Sequence, residues 1–206
     1  MRSGDRTRIR YVICVICVMI FSLAGYIYVS LPMEGAGENT WEVSGYLELG
    51  HYLTVQKTDD RLSLLDSKDV LAANGLYYAT WTIGDPEEYV NNEGETVDVY
   101  DVQLYLLLGE HKSDREAVKD MTKWLDAART NYEILEEEQF TCDGLAYTLI
   151  TYNCISEGNP YDRGISAFGV CDSTSVCIEM TGRESFEEEL RDIMLPFLEN
   201  CSYDSN

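Results

Sequence analysis

Residues 11–31 form a continuous stretch of 21 residues without a charged side chain, YVICVICVMIFSLAGYIYVSL. At about 1.5 Å of rise per residue, a helix of this length spans the roughly 30 Å core of a bilayer. Arg2, Arg6, Arg8 and Arg10 precede it, and basic residues before a span favour an N-terminus that stays in the cytoplasm. The sequence therefore predicts a single-pass protein of the cell membrane whose remaining residues lie outside the cytoplasm.

A cleaved signal peptide is the alternative interpretation of the same segment. Residues 12–21 form an apolar centre, and Ser22 and Ala24 are small residues placed for cleavage before Gly25. The mature protein would then be secreted. Tyr26 stands where a bacterial lipoprotein signal carries its lipid-bearing cysteine, which argues against lipidation.

Charge separates the N-terminal segment from the rest of the chain. Beyond residue 31 the chain has 11 basic and 36 acidic residues, a net charge of 11 − 36 = −25. Such a charge repels phosphate backbones, so nucleic acid is excluded as an expected partner. The chain is 11% aromatic, too much for an acidic disordered tail. We therefore expect a cytoplasmic N-terminus at 1–10, a linker at 32–40 and a folded acidic domain at 41–203.

The apolar pattern after the linker predicts an α+β domain. Runs rich in aromatic and β-branched residues indicate strands. Two amphipathic segments indicate helices, and each begins with a capping box, Ser113 with Glu116 and Ser185 with Glu188. An antiparallel sheet covered by two amphipathic helices is a layered α/β/α domain. Strands are expected at residues 41–49, 51–57, 61–65, 76–83, 97–108, 134–140, 145–154, 165–171 and 176–181, with a short helical turn at 68–73.

This order of elements resembles the PsbP-like fold over residues 76–200. The resemblance rests on the strand LYYATWTI, the helix ending AARTNYE, the hairpin FTCDGLAYTLITY and the strand and helix CIEMTGRESFEEELRDIMLPFL. It is a likeness of architecture and spacing, and it implies an α/β/α sandwich. The family includes photosystem subunits and binding adaptors, which generally act without catalysis. The resemblance therefore implies a binding role, and it transfers no functional residue.

Few residues of the sequence lie in catalytic patterns. His51 and His111 are its two histidines, and neither lies in a pattern typical of a catalytic triad or a metalloprotease. An extracytoplasmic enzyme of a hydrolase-like kind, the alternative function, would need a pocket joining a histidine to a carboxylate of raised pKa. No cofactor is predicted, and the alternative is a weak calcium site. The acidic residues for such a site are Asp85, Glu87, Glu88, Asp98 and Asp101.

We expect the domain to act by binding a protein or a small molecule. Recognition would use a sheet face or an edge rich in tyrosine and tryptophan. The candidates for exposed binding residues are Trp41, Tyr46, Tyr52 and Tyr161. The opposing interpretation places the same four side chains in the core.

The cysteines of the domain are predicted to gather at one end of the sheet. Tracing the strand directions places Cys142, Cys171 and Cys177 at one end, and the last helix returns Cys201 to it. Outside the cytoplasm such thiols oxidise. Cys171 and Cys177 are predicted to pair if their hairpin loop has an odd number of residues, which leaves Cys142 with Cys201. Zinc bound by the four thiols and unpaired buried thiols are the alternatives, and Cys154 has no predicted partner.

Overall fold

A computed structural model describes residues 41, 44–49, 53–71, 76–155 and 158–203, and of residues 66–71 it describes the backbone alone. The chain divides into two units, Met1–Asn39 and Thr40–Asn206, and every described residue belongs to the second. The predicted membrane segment at 11–31 lies outside the described residues, as does the linker. Within the described ranges, no helix is both long and apolar enough to cross a membrane.

Twelve described strands form three sheets. The strands are β1 (Tyr46–Leu49), β2 (Leu53–Gln56), β3 (Ser63–Leu71), β4 (Leu76–Ile83), β5 (Glu87–Val90), β6 (Thr96–Val99), β7 (Val102–Glu110), β8 (Glu133–Cys142), β9 (Leu145–Asn153), β10 (Arg163–Cys171), β11 (Thr174–Gly182) and β12 (Cys201–Tyr203). The main sheet has seven strands in the order β3-β4-β7-β11-β10-β9-β8. Every pair in it is antiparallel. A three-stranded sheet, β1-β2-β12, and the hairpin β5-β6 complete the set.

One described helix packs on each face of the seven-stranded sheet. Successive residues of a strand point to opposite faces, so the sheet has two separate clusters of apolar side chains. Helix α2 (Leu190–Glu199) joins the larger cluster, where Phe197 lies 5.3 Å from Trp81 between ring centroids. Helix α1 (Asp114–Asn131) joins the smaller cluster on the other face, through Leu125. The predicted α+β domain with an antiparallel sheet between two helices is confirmed.

The strand predictions fail where the chain bends. The expected helical turn at 68–73 is wrong, because β3 continues as far as Leu71 and pairs with β4. The single strand expected at 97–108 is divided into β6 and β7. Asp101 lies at the division, and its backbone oxygen accepts a hydrogen bond from the Arg183 N–H at 3.0 Å. Gly84 has φ of 92°, and a Cβ there would lie 2.4 Å from Asp101 Oδ2, so only glycine fits this turn.

The last helix begins later than its capping box predicts. Ser185 and Glu188 predict a start at residue 185, whereas α2 begins at Leu190. Arg163 Nη2 donates to the backbone oxygen of Glu188 at 2.9 Å. Asp162 Oδ2 accepts from the backbone N–H of Glu184 at 2.7 Å. Both bonds hold the preceding segment in irregular backbone at the end of the sheet, so the helix starts only after it.

Candidate functional site

The sheet face under α1 carries polar side chains on its two central strands. Along β7 and β11, alternate residues are buried on the α2 side, and most of those between them are half-buried on the α1 side. In the register, Tyr105 of β7 lies opposite Glu179, and Gln103 lies opposite Thr181. Helix α1 packs mainly on β10 and β11, and Tyr132, which follows its last residue, contacts Glu179. These five residues and Tyr152 of β9, which also donates to Glu179, form what we call the Glu179 site.

Two tyrosines hold the Glu179 carboxylate by the same oxygen. The Tyr132 hydroxyl donates to Oε1 at 3.0 Å, and the Tyr152 hydroxyl donates to Oε1 at 2.5 Å. The two rings are stacked, with centroids 4.0 Å apart and planes 6° from parallel. Among the described residues, none donates a hydrogen bond to Oε2.

The tyrosines of this site remain hydrogen-bond donors at ordinary pH. Burial, followed by the charge of Glu179, raises the pKa of Tyr132 and that of Tyr152. Burial and the same carboxylate also raise the pKa of the Cys154 thiol to about 12. Within the described part of the chain, the ion pairs of lysine, arginine and histidine are made with other acidic residues. Glu179 is therefore a half-buried carboxylate that neutral donors hold in place.

A glycine on the neighbouring strand lets Tyr152 reach the carboxylate. Gly164 of β10 is directly opposite Tyr152 of β9 in the register. A Cβ at residue 164 would lie 2.3 Å from Cζ and 2.4 Å from the hydroxyl oxygen of Tyr152. The ring thus lies across β10 toward β11, over the space that any other side chain at 164 would fill.

The predicted aromatic candidates do not form a common surface. Trp41 is fully buried, its ring centroid lies 5.4 Å from that of Trp81, and its Nε1 donates to the Leu62 carbonyl at 2.9 Å. Tyr161 is only 9% exposed. The prediction of exposure is wrong for both, because both rings pack inside the domain. Tyr46 is 41% exposed, and Tyr52 lies outside the described residues.

The residues of the Glu179 site are missing from those candidates. Tyr132 belongs to the apolar repeat of α1, so sequence spacing places it in the core beneath the helix. Tyr105 lies in the apolar run of β7. The signal that could have identified the site is the single acidic residue of β11, Glu179, in a strand whose neighbours are apolar or hydroxyl-bearing.

His111 does not complete a catalytic triad. Its Nε2 lies 3.0 Å from Ser175 Oγ and 3.6 Å from Asp120 Oδ2. A triad uses the two different ring nitrogens for the serine and the acid, whereas here both partners meet one nitrogen. Ser175 is also fully buried, and its Oγ donates to the Gly109 carbonyl at 3.2 Å. His51 lies outside the described residues.

The predicted disulfide between Cys171 and Cys177 is wrong. The five described cysteines are all free. The turn between β10 and β11 has two residues, Asp172 and Ser173, so Cys171 lies opposite Thr174 and Cys177 lies opposite Phe168. With this even loop, the two thiols point to opposite faces, because Cys171 packs on the α2 side and Cys177 on the α1 side.

Cys142 and Cys201 are likewise not joined. Cys142 Sγ donates to the Leu198 carbonyl at 3.5 Å, and Cys201 Sγ donates to the Phe197 carbonyl at 3.3 Å. The two thiols therefore contact consecutive carbonyls at the end of α2, and burial raises the pKa of each. The expected disulfide is replaced by these two hydrogen bonds.

Neither alternative metal site is formed by the described residues. They contain no group of three or more histidine, cysteine, aspartate or glutamate side chains that could hold a metal ion. The zinc site of four cysteines is therefore not assembled. Of the acidic residues considered for calcium, Glu87 instead pairs with Arg183 Nη1 at 2.5 Å.

Comparison with known proteins identifies neighbours in structure alone. No protein-family model matches the chain, and no curated protein matches its sequence. The structure is similar to cyanobacterial PsbP from Synechocystis sp. PCC 6803, with 10% identity, 85% of this chain and 99% of that chain covered, and a TM-score of 0.45. The solved structures similar to this one thus include a PsbP protein, from the family whose fold the order of elements resembles.

A second neighbour is a crystal structure from Bacteroides thetaiotaomicron VPI-5482. It is 6% identical, with 75% of this chain and 46% of that chain covered, and a TM-score of 0.47. This chain thus spans about half of that protein's length.

Proposed function

We propose that this chain is a membrane-tethered binding domain that lies outside the cytoplasm and acts without catalysis. The observation that supports binding is the half-buried Glu179 carboxylate, whose Oε1 is held by two tyrosines and whose Oε2 accepts no hydrogen bond from a described residue. A charge withdrawn from water costs free energy unless it is paired or hydrogen-bonded. Glu179 has hydrogen bonds and, among the described residues, no cationic partner. A partner that approaches the site can supply one.

The tether is supported by the N-terminal sequence. The uncharged segment 11–31 is long enough to cross a bilayer, and the arginines before it favour a cytoplasmic N-terminus. The acidic domain at 41–203 would then face the outside. A cleaved signal peptide would instead release the same domain as a secreted protein, in which case the partner is met in solution.

Cross-linking of the full-length protein in its native membrane tests the proposal. A photoreactive phenylalanine analogue replaces Thr130, which is exposed two residues before Tyr132, and the captured partner and the protein's own N-terminus are identified by mass spectrometry. We expect an intact Arg-rich N-terminus and one partner that Glu179→Gln loses. The control is Glu93→Gln, which makes the same charge change on the exposed turn of the β5-β6 hairpin. Capture that is equal in both variants would refute a binding role for Glu179, and an N-terminus at Gly25 would refute the tether.

A further inference from the structure

We propose that the outer edge of strand β8 pairs with an extended, basic segment of a partner protein. This inference goes beyond the proposed function, because it names a second surface and does not involve Glu179. Strand β8 (Glu133–Cys142) is the last strand of the seven-stranded sheet, and among the described strands it pairs with β9 alone. An edge strand that is paired on one side can accept a further strand on the other.

The outer edge of β8 is open along the strand. In an antiparallel pair, every second residue points its N–H and C=O groups away from the partner strand. Within the described ranges, no hydrogen bond joins these outward groups of β8 to another residue. Helices α1 and α2 pack mainly on β10 and β11, of which β10 is two strands further in. The edge therefore keeps a row of free donors and acceptors that a partner strand can use.

A β-bulge fixes where such pairing ends. The register with β9 skips Leu135, which is an extra residue between Ile134 and Glu136. Bulges interrupt the hydrogen-bond ladder and increase the twist of the strand. From Glu136 to Cys142 the register is regular, so the partner segment has these seven residues to pair with. Leu135 is 58% exposed and offers an apolar contact at the end of the paired segment.

The side chains of this segment favour a basic partner. Glu136, Glu137 and Glu138 are consecutive, and β8 contains no lysine, arginine or histidine. Arg191 of α2 contacts Glu138 on one face of the sheet, and Arg129 of α1 contacts Glu137 on the other. Glu136 is exposed and makes no ion pair with a described residue. Both faces of the edge thus bind a guanidinium group within the chain itself, and negative charge remains for a partner.

A second copy of this chain is a poor occupant of the same edge. Antiparallel pairing of two β8 strands about Glu137 would place each of the three consecutive glutamates directly opposite another glutamate, and like charges so placed destabilise the pairing. Lysine or arginine at the same positions would give pairs of opposite charge. The net charge of 11 − 36 = −25 beyond residue 31 also attracts a basic segment. The expected occupant is therefore a strand with three consecutive basic residues.

Peptide binding to the full-length protein in neutral detergent micelles tests the proposal. The probe is a peptide with blocked ends that contains threonine, valine, threonine, lysine, arginine, lysine and leucine in this order. In antiparallel pairing its basic residues lie opposite Glu138, Glu137 and Glu136. Fluorescence anisotropy measures the affinity, and hydrogen–deuterium exchange with mass spectrometry locates the peptide. We expect saturable binding that slows amide exchange in residues 133–142.

Backbone methylation of the peptide tests whether it binds as a strand. Two forms are made, with N-methyl groups on one or the other set of alternate backbone nitrogens, and their side chains are identical. Only one set faces β8 in a paired strand. We expect that form to bind at least tenfold more weakly than the parent peptide, while the other form binds nearly as well.

Variants of the protein test the role of charge. Glu136→Lys should weaken binding of the basic peptide at least fivefold, and a peptide with glutamate in place of its last lysine should restore it. Glu93→Lys is the control, because it makes the same charge change on the exposed turn of the β5-β6 hairpin and should leave binding unchanged. Glu179→Gln should also leave it unchanged, since the edge of β8 is a separate surface.

Four results would overturn the inference. The first is the absence of saturable binding, and the second is equal binding of the parent peptide and both methylated forms. The third is slowed exchange in other segments and not in residues 133–142, and the fourth is an equal loss of binding in Glu136→Lys and Glu93→Lys. None of these results depends on cross-linked capture through Glu179, so the proposed function stands or fails separately.

Discussion

At the scale of residues, the Glu179 site depends on one missing side chain and two hydroxyl groups. Gly164 leaves room for the ring of Tyr152, and the hydroxyls of Tyr152 and Tyr132 then position the carboxylate. Each of these residues acts through its neighbours, so substitution at one should alter the geometry of the others.

Gly164→Ala should destabilise the domain by about 1–3 kcal/mol, the usual cost of overpacking a core. The new Cβ would lie 2.3 Å from Tyr152 Cζ, so the ring must move away from Glu179. Urea unfolding followed by circular dichroism measures the loss. The control is the same substitution combined with Tyr152→Leu, in which the smaller side chain should make Gly164→Ala cost less. Equal costs in both backgrounds would show that the clash is not with this ring.

Tyr152→Phe should lower the free energy of unfolding by about 1.5–3 kcal/mol, because it removes a hydrogen bond to a charged group. Tyr152 is fully buried, so the carboxylate loses a donor that water replaces poorly. Tyr132→Phe is the matched comparison, and it should cost less because Tyr132 is half-buried. Urea denaturation of both variants gives the two values. A larger loss for Tyr132→Phe would contradict this ranking of the donors.

Cys154 should react slowly with iodoacetamide while the protein is folded. Its pKa is raised to about 12, against about 8.5 for an unperturbed thiol, so near pH 8.5 its thiolate fraction is roughly a thousandfold smaller. Alkylation rates per cysteine, read by peptide mass spectrometry, test this. The same protein in urea is the control, and similar rates in both conditions would show that burial does not protect the thiol.

At the scale of elements, the hairpin of β10 and β11 shows how a turn decides where side chains lie. Asp172 and Ser173 have φ of 39° and 62°, and this two-residue turn sets the register of both strands. The Ser173 carbonyl accepts from the His111 N–H at 2.9 Å, and Ser173 Oγ donates to Asp114 Oδ1 at 2.6 Å. With one more loop residue, each side chain of β11 would lie on the opposite face of the sheet from the one it now occupies.

Strand β8 forms one edge of the seven-stranded sheet, and its glutamates should keep that edge from pairing with a second copy. Glu136→Val with Glu137→Val removes two exposed charges of this strand. We expect the full-length protein in detergent to form dimers, measured by sedimentation velocity. Glu184→Val with Glu187→Val is the control, because it makes the same chemical change in the segment before α2. If both double variants form dimers to the same extent, the association is nonspecific hydrophobic contact and not pairing of the sheet edge.

At the scale of the whole molecule, like-charge repulsion should make stability depend on salt. With 11 basic and 36 acidic residues after residue 31, repulsion acts over the Debye length, which falls from about 30 Å at 0.01 M salt to about 8 Å at 0.15 M. Raising NaCl over this range should increase the melting temperature by about 2–4 °C, which corresponds to roughly 1 kcal/mol for a chain of this size.

The control for that prediction is sucrose of equal osmolality, which changes the solvent without screening charge. A melting temperature that falls with NaCl would show that local pairs, such as Arg129 with Glu137 at 2.5 Å, outweigh the overall repulsion. Neutral detergent keeps the micelle from contributing charge of its own.

Much of the fold could be predicted from periodicity alone. The run LYYATWTI predicts β4 at its observed bounds, and the apolar repeat after Ser113 predicts α1. Both signals are local, because residues two apart in a strand and three or four apart in a helix share a face. The start of α2 was missed because Arg163 and Asp162, which are distant in sequence, hold the preceding segment. No local pattern records such contacts.

The sequence by itself determined the charge of the domain, the uncharged segment at its N-terminal side and the coarse order of early strands, one long helix, four strands and a last helix. Only the tertiary structure decided which polar groups meet. Glu179, Tyr132 and Tyr152 come together because the register of β9, β10 and β11 and the end of α1 place them on one face. Trp41 and Tyr161 are buried for the same kind of reason. An aromatic residue packs well in a core and at a surface alike, and only its neighbours in space determine which one it occupies.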